Sequence, residues 1–247
     1  MFICHNKLNI MKRIEFSLSG FTGAGIFIMA GLIALGYYIG SGIEKMADKD
    51  RYVTVKGLAE QEVQANKIVW PLPYNSVGNN LEELYNTVEK NKNTIIAFLQ
   101  KNGITDKEII LSAPTVTDRE AQSYTPENLK YRYRVESVIT VVSPQVDKVM
   151  QLMNSQAELM KQGIAIGEDY RYQTQYEFTL LNDLKPQMVQ EATSNARAVA
   201  QKFADDSKSK LGGIRQARQG QFTISSDPNT PQIKKIRVVT TVDYFLK

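Results

Sequence analysis

Glu60 and Glu62 stand two residues apart in the alternating stretch "LAEQEVQA", which puts both carboxylates on one side of a strand. Such a pair performs acid–base chemistry when its environment drives the two pKa values apart. On a solvated face the same spacing gives only two surface charges, the commoner outcome. A second constellation is cationic: Arg132, Arg134, Lys234, Lys235 and Arg237 converge into a patch for anionic lipid or polymer if their strands are neighbours, and form an ordinary solvated sheet face if they are not. A third is aromatic. Tyr124, Tyr131, Tyr133, Tyr170, Tyr172 and Tyr176 offer apolar area with a hydroxyl, the chemistry of a sugar-binding or subunit surface. Most share one parity, which favours burial in a core or interface. Asp227 with Asn229 lacks the further oxygen ligands of a calcium loop.

What these residues can do depends on what accompanies them. The sequence holds one histidine, His5, and one cysteine, Cys4, both ahead of an uncharged run from Ser17 to Ile43. That run is long enough to cross a hydrocarbon core of roughly 30 Å, and it is read as a membrane helix. Gly40 and Gly42 mimic the small residues of a signal cleavage site, so a cleaved, soluble product is the alternative. Gly36 and Gly40 have the small-xxx-small spacing that lets two such helices approach. Lys7, Lys12 and Arg13 precede the span, whereas Glu44, Lys45, Asp48, Lys49 and Asp50 after it mix both signs. By the positive-inside rule the remainder is exported, giving an inner-membrane, single-pass protein with its C-terminal domain in the periplasm. The exported part then has no imidazole and no thiol. Histidine-based serine triads, thiol proteases and histidine-ligated zinc are excluded; a carboxylate pair, a serine with a lysine base and oxygen-only calcium sites remain.

With 30 Lys and Arg against 26 Asp and Glu, and no block of like charges, the chain shows no electrostatic footprint for nucleic acid. The organisation expected is a cytoplasmic tail 1–16, an anchor 17–43, a linker 44–50 and one domain 51–247, large enough to bury about 70% of its unfolded surface.

Alternation predicts a strand pair on either side of a bend at Gly57. A further strand follows in which Ile68, Trp70, Leu72 and Tyr74 form one buried face, with Trp70 as a core residue. Pro71 and Pro73 interleave with them and lack amide hydrogens on one edge, which is therefore expected to be unpaired and available as an interface. A helix is predicted from Asn79 or Asn80 to Asn102–Gly103, carrying Leu81, Leu84, Tyr85, Val88, Ile95, Phe98 and Leu99. Thr105 and Glu108 have capping-box spacing before strand residues Ile109–Thr117, and "DREAQSYTPENLK" reads as an exposed loop. A strand over "YRYRVESVITVVS" leads to Ser143 as cap and Pro144 as first residue of a second helix running toward Gly163. The long alternating run Ile164–Leu180 reads as strand. A third, alanine-spaced helix begins near Pro186 and closes at Gly212–Gly213, and two strands, around Gln221–Ser225 and Lys235–Leu246, finish the chain. Strands adjacent without an intervening helix argue for α+β, with antiparallel sheets packed against amphipathic helices.

The stretches "VTVKGLAEQEVQANKIV", "YRVESVITVVSPQVDKVMQLM", "EATSNARAVAQKFADDSKSKLGG" and "IRVVTTVDYFLK", in this order, resemble the SIMPL domain family of bacterial envelope proteins. The resemblance implies an exported α+β domain, sometimes assembled into ring-like oligomers, with envelope or stress-related roles and no agreed catalytic residues. "WPLPY" departs from the family's smooth strand. The expectation is a non-enzymatic, membrane-anchored protein without cofactor or metal, self-assembling as a homo-oligomer or binding an envelope protein. The alternative is a binder or enzyme acting on a small molecule or glycan through carboxylates and tyrosines.

Overall fold

Residues 18–49, 51–122, 130–167 and 170–247 are described by the structure, a computed structural model. Cys4, His5, the cationic tail and Tyr124 lie outside the described residues. Helix α1 (Leu18–Lys49) contains the apolar segment Gly25–Ile43, with a mean hydropathy of 1.9 and no part of it buried, long and apolar enough to cross a membrane.

Strand β1 (Tyr52–Gln64) alternates as the sequence dictates, burying Val55, Gly57 and Ala59. It runs straight through Gly57 where the sequence suggested a bend, because Gly57 falls on the buried parity and simply continues it. Strand β2 (Lys67–Gly78) buries Ile68, Trp70, Leu72 and Tyr74. Helix α2 (Leu81–Lys101) starts where the Asn80 side chain accepts hydrogen bonds from the Glu82 and Glu83 amides, and Gly103 follows it at φ +79°. A short 3-10 turn, Asp106–Glu108, leads into β3 (Ile109–Leu111) and β4 (Thr115–Asp118). Both pair with β5 (Tyr133–Ser143) along the same edge. The second predicted helix breaks at Ser155–Gln156 into α3 (Val146–Asn154) and α4 (Ala157–Lys161). Ser143 does not cap it. Its hydroxyl accepts from the Gln145 amide and donates to buried Glu108, tying the end of β5 to the 3-10 turn.

Among the described residues the run after Gly163 forms only β6 (Gln175–Glu177), which pairs with Lys67–Val69, and an isolated bridge between Ile166 and Tyr74. Pro71 and Pro73, lying between those two points, offer no amide for a ladder to continue. Helix α5 (Leu181–Asp206) contains Pro186 and ends before Gly212–Gly213. Those glycines sit instead in β7 (Leu211–Gln219), a strand the sequence did not reveal. A Cβ at Gly212 would stand 2.9 Å from the Phe245 carbonyl oxygen, so the close approach of neighbouring backbone requires glycine there. Strands β8 (Thr223–Ser225) and β9 (Ile233–Leu246) complete two antiparallel sheets. One has the order β1-β9-β7 with β8 also on β9; the other runs β3-β5-β2-β6 with β4 also on β5. The architecture is α+β.

Two compact units are discernible, and their division falls within β1, α5 and β9 and at the last residue of β7. In the larger unit, β2 and β5 pack against α2, α3 and α4 around Leu72, Ile95, Leu99, Ile139 and Val149. A second cluster joins Ala59, Met188, Ala192, Ile236 and Val238. In the smaller unit, Ala196 and Ala200 of α5 lie against Val55, Val242 and Tyr244. Met188, Ala192, Ala196, Ala200 and Ala204 recur every fourth residue and are all buried; small side chains let that face of α5 come close to its strands.

Candidate binding groove and open sheet edges

The β2–β5 ladder passes unbroken through Pro71 and Pro73, from Ile68 opposite Ser143 to Gly78 opposite Tyr133. The Pro73 carbonyl accepts from the Gly167 amide on the other edge. Both missing amides therefore face away from β5. Along this edge, between β6 and the Ile166 bridge, lies a groove of about 520 Å³. It brings Trp70, Pro71, Pro73, Tyr170 and Tyr172 together, joined by Met153, Gln156, Ile166, Gly167, Gln173 and Thr174. Trp70 is 3% exposed and serves mainly as core, whereas Tyr170 is 86% exposed. The Tyr172 wall is held by Glu136 of β5: its carboxylate accepts from the Arg171 guanidinium at 2.7 Å and from the Tyr172 hydroxyl at 3.4 Å. Arg134 lies 3.7 Å from the same carboxylate, and Arg171 stacks over the Tyr172 ring. Among the described residues the groove lining offers aromatic and proline surfaces, the two amide side chains of Gln156 and Gln173, and the hydroxyls of Tyr170, Tyr172 and Thr174.

The remaining candidates lie elsewhere. Glu60 on β1 is bound to Lys235 of β9 at 2.8 Å and to Arg237 at 3.5 Å. The hydrogen bond from Lys235 holds its pKa below the usual carboxylate value, as expected of an ion-pair partner. Glu62 is exposed on the same face of β1, away from the tyrosine-lined groove. Arg132 makes paired hydrogen bonds to Asp118 and a contact to Glu120 at 3.1 Å, and Asp118 is held charged chiefly by that guanidinium. Of the five cations grouped from the sequence, Arg132 and Arg134 lie just before and within β5, Lys234, Lys235 and Arg237 within β9 of the other sheet, and Arg132, Arg134, Lys235 and Arg237 each face a carboxylate. They do not form one patch. Gly36 and Gly40 lie exposed on one side of α1. Among the described residues no three His, Cys, Asp or Glu side chains gather as a metal site.

One feature went unread in the sequence. Leu81 and Tyr85, counted in the helical core stripe, instead border an apolar hollow of about 570 Å³ with Pro114, Val116 and Val135. Val116, which lines it, is about half exposed and belongs to β4; among the described residues the outer edge of β3 and β4 pairs with no strand, and Ile110 and Leu111 of β3 are likewise about half exposed. Helical periodicity marked Leu81 and Tyr85 as apolar-face residues but could not tell that the sheet ends beneath them. At the edge of the other sheet, β7 is exposed on both faces over most of its length, including Ile214. A broader hollow of about 710 Å³ along α2 is lined by both polar and apolar groups, among them Asn86, Glu89, Lys90, Phe98 and Lys101.

Compared with known families, residues 53–243 match the family model described as SIMPL, protein of unknown function, which bears out the resemblance read in the strand and helix segments. No curated protein matches the chain.

Proposed function

The chain belongs to the SIMPL family, a family of unknown function, and we propose that this member is a membrane-anchored, non-enzymatic binding protein of the cell envelope. It engages other polypeptides, a second copy of itself first among them. The observation that carries this reading is the apolar hollow of Leu81, Tyr85, Pro114 and Val116 beside the open edge of β4. Exposed apolar area next to unpaired backbone is what strand addition uses: main-chain hydrogen bonds supply affinity and the hollow takes alternate side chains. The complementary element is on the same chain, since among the described residues β7 has a free edge and is exposed on both faces from Gly213 onward. β7 of one copy on β4 of the next is a head-to-tail contact, which closes into a ring or extends as a filament.

Anchoring is supported by the uncovered apolar surface of Gly25–Ile43, and export to the periplasm by Lys7, Lys12 and Arg13 ahead of it. The non-enzymatic reading is supported by the separation of Glu60 and Glu62 from the tyrosine-lined groove. The test uses detergent-solubilised full chain carrying Val116→Lys or Ile214→Lys. Each variant alone is expected to be a monomer by light scattering, and an equal mixture to form dimers, because each retains one intact half of the contact. A monomeric parent, or variants that assemble as the parent does, would remove the self-assembly reading.

A second reading rests on the groove at Pro71 and Pro73, where Tyr170, Tyr172, Gln156 and Gln173 suit a neutral sugar ring or small aromatic compound. Chemical-shift changes on titration with an oligosaccharide, absent in Tyr170→Ala/Tyr172→Ala, would support it; no shifts in the parent would dismiss it.

A further inference from the structure

The end of the β1-β9-β7 sheet from which the chain leads back to α1 is cationic on every strand. The Leu246 amide donates to the Arg51 carbonyl, and Lys210 and Lys247 exchange backbone hydrogen bonds of 2.7 and 2.8 Å, so Arg51, Lys247 and Lys210 terminate three adjacent strands. Lys208 joins them from the turn that links α5 to β7; it sits at φ 53°, a left-handed conformation uncommon for a side-chain-bearing residue. Arg51 reaches into the same turn, donating to the Ser209 hydroxyl at 3.2 Å. All four cations are exposed, and among the described residues none is in an ion pair. Asp50 precedes Arg51 in the sequence; of the described acids nearest in sequence, Asp205 and Asp206 end α5, with Asp205 engaged by Gln201, and Asp243 accepts from the Thr54 hydroxyl. Lysines directly opposite each other across a hydrogen-bonded pair repel at a Cα separation of about 5.5 Å, so the arrangement is unfavourable until an anion intervenes.

Sequence connectivity supplies the anion's source. Only residues 44–50 separate the apolar segment ending at Ile43 from Arg51, at most about 25 Å of fully extended chain. We propose that Arg51, Lys208, Lys210 and Lys247 form a collar that binds the phosphate groups of anionic phospholipids and stands this end of the sheet on the bilayer. The inference rests on reading α1 as a membrane span. Phosphatidylglycerol-type headgroups bring fixed negative charge within one Debye length of the collar, where each cation gains from the surface potential.

The test reconstitutes the full chain in nanodiscs of phosphatidylcholine alone, of phosphatidylcholine with about one third phosphatidylglycerol, and of phosphatidylcholine with added inorganic phosphate; amine acylation is then read by mass spectrometry at Lys208, Lys210 and Lys247, with Lys101 on α2 as control. Acylation is expected to slow roughly threefold at the three collar lysines in the anionic discs only, to be unchanged at Lys101, and to recover in high salt. In Arg51→Gln/Lys210→Gln the protection of Lys208 and Lys247 is expected to fall. Equal rates in neutral and anionic discs overturn the proposal, as does equal protection by free phosphate. A chain that leaves the discs at alkaline pH overturns the span as well, whereas one that stays but labels equally overturns the collar alone.

Discussion

The Ser143 hydroxyl donates to Glu108 Oε1 at 2.5 Å, across 35 residues of sequence, while the Thr105 amide and hydroxyl occupy Glu108 Oε2 at 2.9 and 2.8 Å. Burial alone would raise the pKa of this carboxyl; the hydrogen bonds from Ser143 and Thr105 outweigh it and hold the pKa below its ordinary value. The capping-box spacing was legible in the sequence. The third donor was not, because it comes from the far end of β5.

Replacing Glu108 with Ala strands the buried Ser143 hydroxyl and the Thr105 amide, and is expected to destabilise the chain by about 1–3 kcal/mol. Ser143→Ala leaves Glu108 its other two donors and should cost less, about 1 kcal/mol. Urea denaturation in detergent measures both, and the predicted order is the check.

Stability should fall in acid with a definite sign. Glu60, Asp118 and Glu108 all have folded pKa values lowered from 4.5, 3.8 and 4.5. Each therefore contributes stability that is fully present above its unfolded pKa and is lost as pH falls through the lower folded value. Thermal melting between pH 7 and pH 2 should decline below about pH 5 and less steeply in Glu60→Gln/Asp118→Asn. A double variant with an unchanged acid profile would refute the assignment.

Thr240 is 3% exposed on β9, and among the described residues its hydroxyl has no hydrogen-bond partner. Thr240→Val should stabilise by about 1 kcal/mol, because the buried hydroxyl forfeits its solvation without compensation. A drop in melting temperature would show that a partner exists.

Ala200 is fully buried against Val55, Val242 and Tyr244. Ala200→Leu should cost about 1–3 kcal/mol by overpacking, whereas Val199→Leu on the partly exposed side of the same turn should be near neutral. Similar losses for both would mean that helix propensity, not close packing, decides this stripe.

Much of the fold is readable wherever one face is buried and the other is wet. Ile68, Trp70, Leu72 and Tyr74 announce β2, Asn80 announces the start of α2, and the fourfold alanine spacing announces α5. β7 is silent because both its faces are exposed, so "LGGIRQARQ" carries no period, and its glycines imitate a helix stop. The tyrosine-bearing run at 164–180 had the right parity for a strand, but its pairing is set by the prolines across from it. For the candidate site, parity told which residues share a face and not which strands are neighbours. Trp70, Pro71, Pro73, Tyr170 and Tyr172 meet in one groove, while Glu60 and the arginines are dispersed among ion pairs whose partners lie far along the chain.

The strand with the highest residue numbers, β9, lies between β1 and β7. During synthesis, β1 is made well before β9 and must remain without its neighbour until β9 follows, since among the described residues no strand between them in the chain takes that position. This sheet cannot assemble progressively; it closes in a long-range step, and clipping within β9 would leave β1, β7 and β8 orphaned for proteases to find.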